Sequence, residues 1–313
     1  MAAIAICICT YNRPEGLKAA LRSLDSQQLT TLQDDQIVVI AVDNSAACSA
    51  KAICAAYAEN GRFKFRYVHK PTKGLVHARN TCLDTAEQEQ AAHLLFLDDD
   101  EAASPLWVEA LFGRLTQSGA AAAIGPVFPV FERPPSAELP VHRFVNHVAH
   151  MSGFAEDGHT CNAAISMAAI RAGHLSFDLR FNDTGGEDTM FFKALRARGD
   201  RIAWAEEARV HEFVPAHRMR ANWLFRRWYR TGIVEAQLAQ GAASSITARL
   251  RNLGHGLARL SAGSARSLYA LIVHGWREPD RFIASFYTLC RGAGYVSGAL
   301  GLSYREYSLP TYR

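Results

Sequence analysis

The first hundred residues alternate between short apolar runs and longer amphipathic stretches, and three of the apolar runs stop at a polar cluster. Ala3–Cys9, Gln36–Val42, Lys64–Val68 and His93–Leu97 have the length and composition of strands. Glu15–Gln27, Cys48–Glu59 and Leu75–Glu89 read as helices, with Leu17, Leu21 and Leu24 of the first at helical spacing. Strands alternating with helices predict βαβ units and a mostly parallel sheet. Ligands of such sheets bind beyond the carboxyl ends of the strands. The polar clusters fall there: Thr10-Tyr11-Asn12-Arg13, Asp43-Asn44 and Asp98-Asp99-Asp100. Together they outline one prospective site.

Further along, Pro105–Gln117 reads as a helix and Ala121–Val127 as a strand. The proline- and aromatic-rich stretch Phe128–His159 reads as a long loop, suited to a lid or a substrate wall. Asn162–Ser166 and Arg201–Trp204 read as strands, Glu187–Arg198 as a helix, and the pattern is helical from about Asn222. Ile246, Leu250, Leu253, Leu257 and Leu260 share one helix face, with Arg249, Arg251 and Arg259 off it. Such a helix suits an anionic membrane surface or packing on its own domain, and amphipathicity alone does not separate the two.

Charge divides the chain in the same way. Arg218 to Arg313 holds 14 arginines, no lysine and four acids, a net charge of +10, against −6 for residues 1–217. A basic region of this kind meets diphosphates, anionic lipid or nucleic acid. The arginines are not interleaved with a base-stacking motif, which sets nucleic acid aside. With 49% hydrophobic and 20% charged residues the composition is globular, which excludes disordered, collagenous and coiled-coil chains. The seven cysteines include no CxxC pair, so neither a disulfide framework nor a zinc ribbon is expected, and a reducing compartment fits. Neither a signal peptide nor a transmembrane helix is expected.

Leu97-Asp98-Asp99-Asp100 carries the strongest chemical signal. Clustered carboxylates repel one another unless a cation or hydrogen-bond donors neutralise them, and oxygen ligands suit Mg2+ or Mn2+. An exposed acidic turn is the plain alternative. Glu187-Asp188 opens a helix whose positive end favours ionised acids, and Gly185-Gly186 before it permits close approach of backbone to a ligand. Favouring the helix dipole is by itself a sufficient reason for those acids. Arg226, Arg227 and Arg230 lie at spacings that align guanidinium forks for phosphate.

These motifs in order, together with Gly74-Leu75-Val76-His77-Ala78-Arg79-Asn80, resemble the family 2 inverting glycosyltransferases of GT-A fold over roughly residues 1–215. Val210-His211-Glu212, Arg226–Gly232 and the segment Gly298–Leu302 are more loosely similar to bacterial exopolysaccharide enzymes of the succinoglycan type. The resemblance implies a GT-A catalytic domain over 1–215 and an arginine-rich helical region over 216–313. It places Thr10, Tyr11 and Arg13 on the nucleotide base and diphosphate, and Asp43 on the uracil imide. Lys73, Gly74, Arg79 and Asn80 would line the nucleotide, with Asp98 on the ribose and Asp99 beside it. Asp100 and His211 would hold Mn2+ or Mg2+, and Asp188 would be the general base. Glu187, Trp223, Arg227 and Arg230 would face the acceptor or the diphosphate. Processive relatives carry Gln where this chain has Leu224, so one sugar per encounter is implied. The implied reaction moves a sugar, glucose first, from a UDP-sugar to a polyprenyl-diphosphate-linked saccharide, by a peripheral protein at the cytoplasmic face of the membrane. A sugar-nucleotide pyrophosphorylase would need a glycine-rich loop, which Ile8–Pro14 lacks. A non-catalytic sugar-nucleotide-binding scaffold subunit is the other alternative.

Overall fold

β1 (Ile4–Thr10) and β2 (Ile37–Asp43) are buried almost without interruption, as strands covered by helices on both faces must be. The computed structural model describes residues 3–135, 139, 153–240, 245–274, 277–302 and 304. The other strands are β3 (Lys64–His69), β4 (His93–Leu97), β5 (Glu101–Ala103), β6 (Ala122–Ile124), β7 (Val127–Phe131), β8 (Phe154–Ala155), β9 (Asn162–Ser166), β10 (Ile202–Trp204) and β11 (Val210–Val214). Eight of them form one sheet in the order β3-β2-β1-β4-β9-β6-β10-β8. The pairs β1–β2, β2–β3, β1–β4 and β6–β10 are parallel, while β9 runs against β4 and β6, and β8 against β10. The mostly parallel α/β architecture expected from the alternation is the one found.

Side chains alternate across the sheet, and the core follows that period of two. Ile4, Ile6 and Ile8 join one apolar cluster with Leu17, Leu21 and Leu24 of α1 (Pro14–Asp25), Cys54 and Tyr57 of α2 (Lys51–Asn60), and Trp107, Leu111 and Leu115 of α4 (Trp107–Ser118). Ala5 and Cys7 join the other, with Val76, Cys82 and Leu83 of α3 (Leu75–Gln88), Ile170 of α5 (Met167–Gly173), and Phe191, Phe192 and Leu195 of α6 (Glu187–Ala197). Register then sets the site. Thr10 pairs with Asp43 across β1–β2, and the β1–β4 register of Cys7 with Phe96 carries Thr10 toward Asp99.

Where the structure departs from the pattern, local chemistry explains it. Ala121–Val127 is not one strand: it breaks at Gly125-Pro126, and its halves, β6 and β7, enter different sheets. Proline has no N–H to give a ladder. A Cβ at Gly125 would lie 2.2 Å from the Ala208 carbonyl oxygen. β5 and β11, which periodicity does not reveal, join β7 in a three-stranded sheet of order β5-β11-β7. Glu-Ala-Ala in β5 has little strand propensity, so its state is imposed by its neighbours. The expected loop Phe128–His159 contains part of β7 and all of β8, while residues 136–138 and 140–152 lie outside the described residues.

The chain divides into two compact units. One is built from Met1–Phe128, Asn146–Asn182 and Glu187–Phe213. The other comprises Pro129–Val145, Asp183–Gly186 and Val214–Arg313. The second unit therefore takes two short segments that the sequence-based division at 215 gave to the first. It contains α7 (Ala221–Gln240), α8 (Ile246–Val273) and α9 (Pro279–Ala299), with Val214, Met219, Leu224 and Trp228 as its buried apolar centre. No helix among the described residues is long and apolar enough to cross a membrane.

Asn162, buried at the start of β9, ties the first unit together. Its amide oxygen accepts from the Trp107 indole at 2.8 Å, and its amide nitrogen donates to the carbonyls of Pro126 and Ala208 at 3.0 and 2.6 Å. Truncation would strand one donor and two acceptors, each costing about 1–3 kcal/mol when buried and unsatisfied. Asn162→Ala should therefore lower unfolding free energy by about 3 kcal/mol or more in a denaturant titration. A loss under about 1 kcal/mol would mean water replaces the amide.

Candidate active site

The carboxyl ends of β1, β2 and β4 meet in a cradle of hydrogen bonds. Thr10 donates its hydroxyl to Asp99 Oδ2 at 2.8 Å. Arg13 Nη1 bridges Asp99 Oδ1 at 3.1 Å and Asp100 Oδ2 at 3.0 Å. A Cβ on Gly16 would stand 2.4 Å from the Asp99 carbonyl oxygen, so a glycine there lets the first turn of α1 reach the acid run. The three aspartates have different surroundings. Asp99 is buried, which pushes its carboxyl up to about 6 against the opposing charge of Arg13. Asp98 is the most exposed of the three, with Oδ1 3.8 Å from Arg79 Nη2. Its carboxyl is also raised, by burial first, with Arg79 opposing and Asp100 adding. Asp100 is partly exposed beside Arg13.

A second wall comes from β2 and the 70–74 loop. Asp43 is fully buried, and its oxygens accept from Ser45 N and Oγ, Ala50 N and the Tyr67 hydroxyl at 2.7–3.1 Å. Asn44 donates to the carbonyls of Lys70 and Thr72 and accepts from Gly74 N, each at 2.7 Å. Gly74 has φ +136°, and a Cβ there would lie 1.9 Å from Asn182 Oδ1, so both backbone shape and space demand glycine. The Lys73 ammonium lies 5.6 Å from the centroid of the Tyr11 ring.

Two further acids sit at the start of α6. Glu187 is buried and paired with Arg79 Nη1, and Arg79 also lies 5.7 Å from the Phe177 ring centroid. Burial would lower the guanidinium's proton affinity, but Glu187, Asp98 and Asp188 together raise it. Asp188 accepts from Thr189 N through Oδ1, and its Oδ2 lies 3.7 Å from His159 Nδ1. Burial alone would raise the Asp188 carboxyl. The contact with His159, the charge of Arg79 and the Thr189 N–H outweigh burial and hold it at about 2. About a quarter of the side chain remains exposed.

β11 completes the acid end. It runs antiparallel to β5 with His211 opposite Ala102 and Glu212 opposite Glu101, and Phe213 N donates to the Asp100 carbonyl at 2.8 Å. His211 is exposed on β11, and the Phe213–Asp100 backbone bond ties that strand to the end of the acid run. The His211 ring lies 5.9 Å from that of Phe128. Glu101 and Glu212 share the other side and are buried. Burial and the adjoining Asp98 hold the Glu101 carboxyl well above its usual range, while its Oε2 accepts from Asp98 N at 2.9 Å. Among the described residues no group of three or more His, Cys, Asp or Glu is arranged to hold a metal ion. Asp100 and His211 offer a carboxylate and an imidazole, donor types that Mn2+ or Mg2+ sites can use.

The chain matches the description "Glycosyl transferase family 2" over residues 5–173. It is 33% identical over 302 residues to the succinoglycan biosynthesis protein ExoM of Rhizobium meliloti (strain 1021), with 96% of this chain and 93% of that protein covered. The chain belongs to glycosyl transferase family 2. Among solved structures, S. aureus TarS 1–349 in complex with UDP-GlcNAc aligns at TM-score 0.56 and 14% identity, covering 97% of this chain and 93% of that one. A longer TarS structure aligns at TM-score 0.54 and 13% identity, and this chain spans 55% of its length. At such identity the likeness shows the fold alone, a GT-A-like α/β architecture.

In this glycosyltransferase the expected residues separate into two kinds. Tyr11, Arg13, Lys73, Asp98, Asp100, Asp188 and His211 keep exposed or partly exposed side chains. Thr10, Asp43, Asn80 and Asp99 direct polar side-chain atoms to the protein itself. Asn80 exchanges two hydrogen bonds with the Phe177 backbone, at 2.8 and 2.9 Å. Trp223, Arg227 and Arg230 lie on α7 in the helical unit, with the Arg227 guanidinium 5.1 Å from the Trp223 ring centroid. Sequence reasoning missed Gly16 and His159, and gave Asn44 a place in a cluster but no role of its own. Asn44 follows Asp43 in a polar cluster and could have been singled out, whereas His159 stands in no motif.

Replacing His159 by Gln removes the imidazole facing Asp188 and leaves burial less opposed. The Asp188 carboxyl should rise by about one pH unit or more in a carboxyl-detected NMR titration. An unmoved titration would assign its low value to Arg79 and the helix start alone.

Proposed function

We propose that this glycosyltransferase is an inverting, metal-dependent and non-processive enzyme. It moves one sugar, with glucose the first candidate, from a UDP-sugar to a polyprenyl-diphosphate-linked saccharide in exopolysaccharide assembly. The observation that carries the reading is the presence in one unit of two partly exposed carboxylates in different surroundings: Asp100 beside Arg13, and Asp188, held low beside His159. Similarity to a succinoglycan biosynthesis protein supports the pathway class, and a fold shared with TarS bound to UDP-GlcNAc supports a UDP donor.

The chain's own groups account for the steps. Tyr11 and Lys73 offer a ring face and a cation to the nucleotide, and Arg13 offers a guanidinium to the diphosphate. Asp188 accepts the proton of the acceptor hydroxyl as its oxygen forms a bond to the anomeric carbon. The bond from that carbon to the diphosphate oxygen breaks on the opposite face, and UDP keeps the electron pair, which inverts the configuration. Asp100 and His211 are the residues that would hold Mn2+ or Mg2+, whose chemistry when bound is neutralising charge on the departing diphosphate. Leu224, in the position where processive relatives carry Gln, is buried in the helical unit beside Trp228, which favours single additions. A lipid-linked acceptor places the enzyme peripherally at the cytoplasmic face of the membrane.

Calorimetric titration of UDP with and without Mn2+, with GDP and CDP as controls, tests the donor half. Metal-dependent binding selective for UDP and lost in Asp100→Ala is expected, and selective GDP or CDP binding would replace the donor. For the base, Asp188→Asn should lower turnover by about 10²-fold or more while leaving UDP affinity within about twofold. Undiminished transfer by that variant would remove Asp188 from the chemistry.

A further inference from the structure

α8 is packed inside out. Its buried residues are Asn252, Gly256, Gly263, Ser267 and Ala270, small or polar and on one side of the helix. A Cβ on Gly256 would lie 2.8 Å from Val296 Cγ2, and one on Gly263 2.5 Å from Leu289 Cα, so α8 and α9 meet nearly backbone to backbone. The large apolar side chains are left outside. Ile246 is 78% exposed, Leu250 63%, Leu268 59% and Ile272 75%. At 3.6 residues per turn, Ile246, Leu250, Leu257, Leu268 and Leu271 lie along one side in a stripe over about 38 Å, with half-buried Leu253 and Leu260 at its edge and Ser264 within it. The sequence pattern left open whether Leu250 and Leu257 face the protein or a partner, and the structure turns them outward.

Helices in water do the reverse and bury their large apolar side chains. Small residues inside and large ones outside is the arrangement of helices whose surroundings are themselves apolar. Yet no described helix is long and apolar enough to cross a bilayer, so a helix lying along its surface is the remaining geometry. Charge selects the occupant. α8 carries four arginines, Arg249, Arg251, Arg259 and Arg266, and no acid. Arg259 differs from the expectation of a lipid-facing residue: it pairs with Glu235 at 2.6 Å and lies 4.9 Å from the Tyr295 ring centroid. Arg249 and Arg251 remain exposed on either flank of the stripe. A second copy of this face would bring arginines against arginines, whereas acidic headgroups supply the opposite charge.

We infer that the outward face of α8, from Ile246 to Ile272, docks in the plane of an anionic lipid surface. The inference deepens the lipid-linked-acceptor reading and rests on it for its purpose, but vesicle binding reads the surface independently of glycosyl transfer. The full chain would be sedimented with phosphatidylcholine vesicles with and without phosphatidylglycerol. The comparison is the variant carrying Ile246→Gln, Leu250→Gln, Leu257→Gln and Leu268→Gln. These positions are exposed, so an unchanged thermal melt should accompany the variant. Binding that requires phosphatidylglycerol and drops at least about tenfold in the variant is the expected result. Equal sedimentation of the two proteins would overturn the inference, as would failure of the wild type to bind. A concentration-dependent dimer in analytical ultracentrifugation, abolished by the substitutions and seen without vesicle binding, would give the face to a second copy instead. UDP titration of the same samples separates the two readings: UDP binding without vesicle binding removes only the lipid surface, and vesicle binding without UDP binding removes only the donor assignment.

Discussion

Carboxylates crowd one end of the main sheet, and two arginines make that crowd tolerable. Arg13 lies between Asp99 and Asp100, and Arg79 is buried against Glu187 with Asp98 3.8 Å away. Burying a charge without its partner is strongly unfavourable, about 3–5 kcal/mol when one member of a buried pair is removed. The positions of α1, α3, β4 and α6 are therefore interdependent through charge as well as through apolar packing. Gly16 and Gly74 serve the same end, since a side chain at either would collide with backbone or with Asn182 and push a wall of the cradle outward.

Much of this arrangement was legible in residue order, and the physical reason is locality. Strand and helix periods act over a few residues, so β1 through β4 and their helices fall where alternation predicts, and the polar clusters fall at strand ends. What was not legible depends on partners distant in sequence. The partners of Asp43 are Ser45, Ala50 and Tyr67, and they reach both its oxygens. Thr10 and Asp99 satisfy each other because β1 and β4 are in register, a fact no short motif states. β5 is a strand because β11 pairs with it, not because Glu101-Ala102-Ala103 favours one. His159 reaches Asp188 from a segment with no helical or strand signature of its own.

The same electrostatic arrangement sorts the acids by protonation. Burial pushes the Glu101 carboxyl well above its usual range and lifts Asp99 to about 6, whereas Asp188 is held at about 2. Near neutral pH the chain thus keeps Asp188 ionised, while burial works against the charge of Glu101. Environment separates groups that are chemically alike, and that separation assigns them to structure or to chemistry.

A carboxylate held so low is a weak base, and general bases act best near the working pH. In the proposed inverting displacement this weakness matters less than it would in a simple proton abstraction. Positive charge grows on the anomeric carbon as the diphosphate departs, so the attacking hydroxyl becomes acidic only as its bond to that carbon forms. The base must then be ionised and aimed rather than strong. Asp188 is about a quarter exposed without an acceptor, and a saccharide covering it would remove that water. Burial, the influence that raises its carboxyl, would grow, while Arg79 and His159 stay in place. On the proposed mechanism Asp188 would gain strength as the acceptor hydroxyl arrives, and between encounters it would stay ionised near Arg79.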